Sequence, residues 1–273
     1  MKTVDFFGVQ TSRLIVGGNP FNGFSYITHK ISRDDMMDYH TAANIIKDLK
    51  YAETLGYTAF IATVDDFTSR WYRQYRNEGG NLKWIAQTHV PLDMRVCVNN
   101  AVAGGAIAIF HQGTSGDSLF ETKNWEQLKA NLEEMRRAEI PIGIATHVPE
   151  HIAIAEEKFN VDFYMACLHN MRRENEGRVS SSISGLKNEP HTFVYEDRAL
   201  MLKTIKELGK PCIAFKFLAG GNYAFNREDL KKCFVETYSG IKPNDLAVVG
   251  IFQRDKDQLK ENAILLEEVL DEL

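Results

Sequence analysis

Short apolar segments and longer amphipathic segments alternate along this chain. The apolar segments are rich in valine, isoleucine and phenylalanine, as in RLIVG at 13–17 and TAFIATV at 58–64. The amphipathic segments repeat their apolar positions three and four residues apart, as in 41–55. Buried strands give the first pattern, and helices with one apolar face give the second. The sequence therefore predicts a series of strand–helix units.

The number of these units indicates the architecture. Strands are predicted at residues 13–17, 58–64, 82–88, 105–110, 141–146, 163–168, 211–218 and 246–251. Helices are predicted at residues 41–55, 125–138, 149–159, 196–208, 227–238 and 256–270. Consecutive strand–helix units form a parallel sheet with right-handed crossovers, either open and doubly wound or closed into a barrel. Eight strands in 273 residues favour closure, so we predict an α/β protein with one (β/α)8 TIM barrel domain over residues 1–273.

Two connections are longer than a minimal barrel needs. They lie near residues 20–38, after the first strand, and near residues 170–191, after the sixth strand. Long loops in compact domains are usually either functional or disordered. Because both follow strands, both belong to the end of the barrel where enzymes of this fold carry their active sites. We therefore expect active-site loops.

The composition adds limits on the environment and on partners. The chain is 44% hydrophobic and 25% charged, a balance that permits a large core. A net charge of −5 gives no reason to expect nucleic acid or a membrane as partner. The N-terminus lacks the apolar region of a secretory signal, and no apolar run is long enough to span a bilayer. Four dispersed cysteines without a CxxC pair are typical of buried thiols in a reducing compartment: Cys97, Cys167, Cys212 and Cys233. These features predict a cytoplasmic protein with a small-molecule substrate and leave its oligomeric state open.

Polar and ionisable residues follow the predicted strands, where a barrel has its mouth. The catalytic candidates are Asp65, His111, His147 and Lys216. The substrate-binding candidates are Asn19, Gln87, His89, His169, Asn170 and Arg172. Four of the eight histidines end four successive strands, and this clustering is the strongest functional signal in the sequence.

Three chemistries fit this set. His111 and His147, with Asp65 or Asp66, could hold a divalent transition metal with one position open. The histidines could instead act as general acid and base on a carbonyl substrate, because the pKa of imidazole lies near neutrality. Lys216 lies in an otherwise apolar strand, a setting that suits a proton carrier or a Schiff-base nucleophile.

Structural roles are also open for these residues. A strand-end histidine can bond a loop backbone, and Lys216 can pair with Asp65 or Asp66. Either aspartate can cap the segment that follows. Cys167 fits a buried small residue better than a nucleophile. The other histidines are expected at the surface: His29, His40, His151 and His191.

Several segments, taken in order, resemble the aldo-keto reductase superfamily. RLIVGGNPF is similar to its opening strand, GYTAFIATVDDFTSRWY to the segment with its aspartate and tyrosine, and AIAIFHQG to the strand that ends in its histidine. IGIATHVPEHIAIAEEK and VVGIFQRDKDQLKENAILL resemble later segments of the same family. The resemblance implies a barrel that binds a nicotinamide cofactor, with Asp65 or Asp66, Tyr72 and His111 in the catalytic positions.

The sequence departs from this family at several of its functional positions, including IGIATH, where His147 replaces an asparagine-type contact. Gln87 ends the third strand where the family has its catalytic lysine. Residues 253–256 do not reproduce its Lys-Ser pattern for the cofactor phosphate. The resemblance therefore implies a distant aldo-keto-reductase-like barrel with an altered catalytic set.

Three hypotheses for function follow. The first is an enzyme acting on a small polar, sugar-like or hydroxy-carbonyl substrate by acid–base lyase or isomerase chemistry, with or without a divalent transition metal. In it, Asn19, Gln87 and Asn170 hold substrate hydroxyls, and Arg172 or Arg173 meets an anionic group. The second is a divergent NAD(P)H-dependent reductase, and the third is a barrel used only for binding.

Overall fold

Eight parallel strands close into a barrel in the computed structural model, which describes residues 1–172, 193–224 and 226–273. The barrel strands are β3 (Leu14–Gly17), β4 (Ala59–Thr63), β5 (Lys83–Gln87), β6 (Ala108–His111), β7 (Ile142–Thr146), β8 (Phe163–Cys167), β9 (Cys212–Phe215) and β10 (Leu246–Gly250). They pair in chain order, and β10 pairs with β3 to complete the circle. The predicted eight-stranded (β/α)8 barrel is confirmed.

An antiparallel hairpin precedes the barrel and was not predicted. Its strands are β1 (Thr3–Phe6) and β2 (Val9–Ser12), joined by Phe7 and Gly8, both with positive φ. Such turns match the twist of the strands they connect. Phe6 is buried, and its ring centroid lies 5.4 Å from that of Phe163 at the start of β8. The hairpin thus closes the end of the barrel opposite the mouth.

Helices surround the barrel. Within the described ranges they are α1 (Arg33–Tyr39), α2 (Ala42–Thr54), α3 (Asp66–Asn77), α4 (Met94–Gly104), α5 (Gly113–Glu121), α6 (Trp125–Arg136), α7 (Pro149–Lys158), α8 (Asp197–Glu207), α9 (Arg227–Gly240) and α10 (Gln258–Glu272). All six predicted helices are present, whereas α1, α3, α4 and α5 were not predicted. No helix in the described part of the chain has the length and apolar character to cross a membrane.

The barrel strands have two distinct faces. Alternate residues such as Ile61, Ile85 and Phe110 point inward and form one buried cluster. The residues between them, such as Phe60 and Ile109, pack outward against the helices. Because strand side chains alternate with a period of two, this parity decides which strand-end residues reach the mouth.

The segment after β3 lies against the loop after β9. Tyr26 contacts Gly220 so closely that a Cβ there would lie 2.5 Å from the Cβ of Tyr26. The side-chain amide of Asn222 donates to the backbone oxygen of Tyr26 at 3.2 Å. These contacts place the predicted loop near 20–38 at the mouth. Most of the other predicted loop, near 170–191, lies outside the described residues, as do Arg173 and His191.

Candidate active site

A cavity of about 810 Å³ opens at the carboxyl ends of the strands. This volume is within the usual range for small-molecule sites. The segment after β3 and the loops after β9 and β10 contribute to its wall. Its polar lining includes Asn19, Gln87, Gln112, Thr114, His147, Arg172 and Lys216. The mouth therefore combines hydrogen-bonding and ionisable groups with an apolar wall.

A chain of three hydrogen-bonded side chains reaches this site from the protein interior. His147 continues the inward parity of Ala145 at the end of β7. Its Nδ1 lies 2.7 Å from Oδ2 of Asp117, and its Nε2 lies 3.0 Å from Nζ of Lys216. The Asp117 carboxylate can only accept, so His147 Nδ1 carries the hydrogen. The lone pair on Nε2 consequently faces the lysine amine.

Asp117 is held ionised by its surroundings. Its carboxylate is fully buried and also accepts from Thr146 Oγ1 at 2.5 Å, from His151 Nδ1 at 2.9 Å and from the backbone N–H of His147 at 3.2 Å. Burial acts to raise the pKa of Asp117, but the hydrogen bonds from the histidines and the threonine outweigh it and hold the pKa well below its usual range. Asp117 therefore anchors the orientation of His147.

His147 is a neutral proton acceptor in this setting. Burial lowers its pKa, and the positive charge of Lys216 lowers it further, against the opposing effect of Asp117. A neutral imidazole with a fixed tautomer can take a proton on Nε2 and return it. The partner placed to exchange that proton is Lys216.

An unusual backbone conformation brings Lys216 into the cavity. Phe215 ends β9 and lines the cavity, so simple alternation would direct the next side chain outward. Lys216 has a φ of 57°, in the left-handed region that non-glycine residues rarely adopt, and its side chain lines the cavity. Strained backbone of this kind is concentrated at functional sites.

The amine of Lys216 has few charged neighbours. Its Nζ lies 2.9 Å from the sulfur of Met171, 4.8 Å from the ring centroid of Tyr26 and 5.6 Å from that of Phe215. Over the described ranges, no Asp or Glu forms an ion pair with Lys216. The expected alternative, a pair with Asp65 or Asp66, is not found.

Helix α5 begins beside this chain. Gly113 is its first residue, and a Cβ there would lie 3.2 Å from Cε1 of His147. Gly113 and Thr114 both line the cavity, so the positive end of the helix dipole faces it. Arg172 also lines the cavity, with its charge paired to both carboxylate oxygens of Glu121 at 2.7 and 2.5 Å. This side of the site suits a developing negative charge.

The predicted binding residues divide into two groups. Asn19, Gln87 and Arg172 line the cavity, whereas His89, His169 and Asn170 do not. His169 is buried, and its Nδ1 lies 3.1 Å from the backbone oxygen of Val194. Burial lowers the pKa of His169 to about 4. His169 is placed as a core histidine of the loop region.

His111 does not reach the mouth. It follows Phe110, which faces inward, so it points outward with the parity of Ile109. Its Nε2 lies 3.0 Å from the side-chain amide of Asn131 on α6, and burial lowers its pKa to about 4. The expectation that His111 faces the substrate is corrected by this placement, for the physical reason that strand side chains alternate.

Two other residues implied by the family resemblance also lie away from the cavity. Asp65 caps α3, accepting from the backbone N–H of Thr68 at 2.7 Å. Tyr72 is buried, and its hydroxyl donates to the backbone oxygen of Leu82 at 3.1 Å. With His111 turned outward, the catalytic set implied by the resemblance is not assembled around the cavity.

The predicted metal pair does not converge. His147 lies in the cavity and His111 lies between the barrel and α6. In the described part of the chain, no three or more His, Cys, Asp or Glu side chains are grouped so that they could hold a metal ion. The structure brings His147 together with Asp117 and Lys216 instead.

Asp117 and His151 were missed as functional candidates. Asp117 lies on a helix rather than at a strand end, and nothing in the spacing of GTSGDSLFE marks it. His151 was expected at the surface, but it is only 8% exposed and bonds Asp117. His40 is likewise buried, so the surface prediction is wrong for both. The four cysteines are free and buried, as predicted.

The cavity extends from the mouth to the start of α10. Lys256, Gln258, Glu261 and Asn262 line this extension. The amine of Lys256 lies 2.7 Å from Oε2 of Glu261, and Asn262 is buried. The extension provides room and polar contacts for a ligand longer than a simple carbonyl compound.

Known proteins resemble this chain in fold but not in sequence. No family model and no curated protein matches the sequence. The glycerol dehydrogenase AKR11B4 from Gluconobacter oxydans aligns with a TM-score of 0.55 at 10% identity, over 99% of this chain and 94% of that one. The aldo-keto reductase AKR11C1 from Bacillus halodurans aligns with a TM-score of 0.54 at 12% identity, over 97% and 90%. A truncated 3-deoxy-D-arabino-heptulosonate 7-phosphate synthase from Thermotoga maritima aligns with a TM-score of 0.57 at 10% identity, over 98% and 91%. The chain therefore shares the (β/α)8 barrel fold with these enzymes, which include aldo-keto reductases.

Proposed function

We propose that this protein is an enzyme that moves a proton at the carbon next to a carbonyl group, in a lyase or isomerase reaction on a hydroxy-carbonyl substrate. The observation that carries the proposal is the Asp117–His147–Lys216 chain, joined at 2.7 and 3.0 Å, with His147 and Lys216 lining the cavity. The similar structures are those of enzymes, which supports a catalytic role in general. At their low identity, the choice of reaction depends on the site itself.

Each member of the chain has a separate role in this proposal. Lys216 engages the substrate carbonyl, because its amine lines the cavity beside His147 and forms no ion pair with a described carboxylate. His147 takes and returns protons through Nε2. Asp117 fixes the tautomer of His147 and stabilises the imidazolium that forms during transfer, as the carboxylate does in Ser-His-Asp triads. Negative charge that develops on the carbonyl oxygen is stabilised by the positive start of α5 at Gly113.

The lining suggests which substrate fits. Asn19, Gln87, Gln112 and Thr114 offer hydrogen bonds for hydroxyl groups. Much of the remaining wall is apolar, including Phe24, Tyr26, Ile27, Ile31, Met36, Phe110, Met165, Phe215 and Phe252. A small sugar would leave this apolar wall in contact with water. We therefore expect a hydroxy-carbonyl head attached to an apolar body, rather than the small polar molecule that the sequence suggested.

Hydrogen–deuterium exchange tests the proposal without knowledge of the product. The protein is incubated in D2O with aldoses, ketoses and aryl-substituted hydroxy ketones, and loss of the α-proton signal is followed by proton NMR. Exchange by the wild type that Lys216→Met abolishes supports the proposal. Lys231→Met is the matched control, since Lys231 lies on α9 at the surface and pairs with Glu272 at 2.6 Å. If Lys216→Met and Lys231→Met show the same rate of α-proton exchange, another group catalyses the exchange.

A second candidate is an NAD(P)H-dependent reductase. The observation that favours it is the extension of the cavity to Lys256 and Asn262, which a simple carbonyl compound leaves empty. Two of the similar structures are described as a glycerol dehydrogenase and an aldo-keto reductase. When bound, a nicotinamide cofactor would supply hydride, and Lys216 would be the acid nearest the carbonyl. One contact argues against the reductase. Lys256 forms an ion pair with Glu261, which already neutralises its charge.

Thermal unfolding with added NADPH separates the two candidates. A ligand that binds the native state raises the melting temperature by mass action. A rise that Asn262→Leu removes favours the reductase, and an unchanged melting temperature leaves the lyase or isomerase. A barrel used only for binding, the third hypothesis, is left if neither exchange nor reduction is detected.

A further inference from the structure

We infer that Lys216 acts as a nucleophile and forms a covalent imine with the carbonyl carbon of the substrate. The inference deepens the proposed function and rests on it, since it specifies how the carbonyl is activated. It limits the substrate to an aldehyde or ketone that is unhindered enough for attack by a primary amine. The alternative is an ammonium group that only donates a hydrogen bond to the carbonyl oxygen.

The contacts of the amine favour the covalent role. A lysine that works as a fixed cation is usually paired with a carboxylate or an anionic ligand group. Lys216 instead meets the lone pair of His147 at 3.0 Å and the aromatic faces of Tyr26 and Phe215. Among the described residues, Asp117 is the carboxylate linked to Lys216 through hydrogen bonds. The imidazole of His147 lies between the two groups. A base within hydrogen-bond distance of the nucleophile, itself oriented by a third group, is the arrangement that activates nucleophiles.

The conformation of Lys216 supports the same role. Lysine is strained at a φ of 57°, whereas glycine is not. Lysine at this position therefore lowers the stability of the folded protein. A side chain that only fills the mouth would not require this backbone. Strand alternation alone would direct this side chain outward. The strained backbone directs it into the cavity instead and brings the amine to His147 Nε2.

The covalent step balances without any redox partner. The Lys216 ammonium first passes a proton to His147 Nε2, 3.0 Å away. The free amine then attacks the carbonyl carbon, a C–N bond forms as the C=O π bond breaks, and the imidazolium gives its proton to the oxygen. His147 Nε2 accepts the proton that the nitrogen loses. The resulting imidazolium returns this proton to the hydroxyl of the carbinolamine, which leaves as water when the C–O bond breaks. The iminium acidifies the adjacent C–H for removal by His147, and addition of water later releases the lysine.

Reductive trapping tests the imine directly. The wild type is incubated with hydroxyacetone or 2-hydroxyacetophenone and sodium cyanoborohydride, and the modified peptide is located by mass spectrometry. We expect a stoichiometric adduct at Lys216, formed at least tenfold faster than at Lys231 or Lys256. His147→Gln should slow trapping while circular dichroism shows an unchanged fold.

Oxygen exchange provides a second readout. An imine that forms and hydrolyses in H2¹⁸O replaces the carbonyl oxygen, so the wild type should accelerate ¹⁸O incorporation. Lys216→Arg, which keeps the positive charge but cannot form an imine, should not. α-Proton exchange without trapping or ¹⁸O incorporation would overturn the imine and leave the proposed function standing. Trapping at Lys216 without α-proton exchange would support the imine while the proposed function fails. Absence of all three signals would reject both.

Discussion

Replacing Asp117 with asparagine exchanges a group that only accepts hydrogen bonds for one that also donates. The carboxylate accepts from His147 Nδ1 at 2.7 Å and from His147 N–H at 3.2 Å through Oδ2. It accepts from Thr146 and His151 through Oδ1. An amide nitrogen in place of Oδ2 faces both N–H groups of His147, whereas one in place of Oδ1 faces His151 Nδ1 and the Thr146 hydroxyl, which can rotate to accept. Hydrogen bonds to a charged group contribute about 1.5–3 kcal/mol each, so losing one or two costs about 1.5–6 kcal/mol of unfolding free energy.

Two assays follow from this substitution. Urea unfolding measures the loss of stability at constant slope. ¹⁵N NMR reports the tautomer of His147, with hydrogen on Nδ1 in the wild type and on Nε2 in Asp117→Asn when the amide nitrogen faces Nδ1. An Nε2–H cannot accept from Lys216, so α-proton exchange should fall by about 10²–10⁴, the usual contribution of a positioned acid–base group.

A second buried aspartate supplies the matched control. Asp245 is fully buried at the other end of the barrel and accepts from the backbone of Cys212 at 2.8 Å and of Lys242 at 2.9 Å. Asp245→Asn should lose stability without changing the tautomer of His147 or the exchange rate. The reasoning is refuted if Asp117→Asn keeps the Nδ1–H tautomer and the wild-type exchange rate.

Two further predictions concern stability. His111 has a pKa near 4 in the folded protein, below its unfolded value, so the unfolded state binds more protons between about pH 6.5 and 4 and stability falls as the pH drops through this window. His111→Gln should remove up to about 3 kcal/mol of that fall in urea titrations while leaving α-proton exchange unchanged, and identical pH profiles would contradict the assignment. Lys216→Gly should be about 1 kcal/mol more stable than Lys216→Ala, because glycine adopts the left-handed conformation without strain. Equal melting temperatures would show that the backbone at this position is relaxed.

The barrel itself could be predicted from the sequence because its strands are buried on both faces. Such strands read as unbroken apolar runs, as in TAFIATV and LAVVGI, and their number indicated closure. The hairpin β1–β2 was missed because its strands are only four residues each and mostly polar. Helix α5 was missed because GTSGDSLFE is rich in weak helix formers.

The site could be predicted only in part. Alternation along β6 and β7 distinguishes His147 from His111 once Phe110 and Ala145 are known to face inward, and strands that are apolar on both faces do not reveal this in the sequence. Alternation alone would have directed Lys216 outward, because the reversal depends on a backbone angle that no pattern encodes. Asp117 could not be found from strand ends, because a helix carries it into the site.

The central claim is that Lys216 and His147 act as one proton-transferring unit, and a double-mutant cycle on α-proton exchange tests it most directly. The rates of Lys216→Met, His147→Gln and the double variant are compared with that of the wild type. If the two residues act as one unit, the double variant should lose little more exchange rate than the more damaging single variant. The effects of substitutions in catalytic groups that depend on each other are not additive. Losses that multiply would mean that the two side chains act independently, and the hydrogen bond between them would then have no part in catalysis.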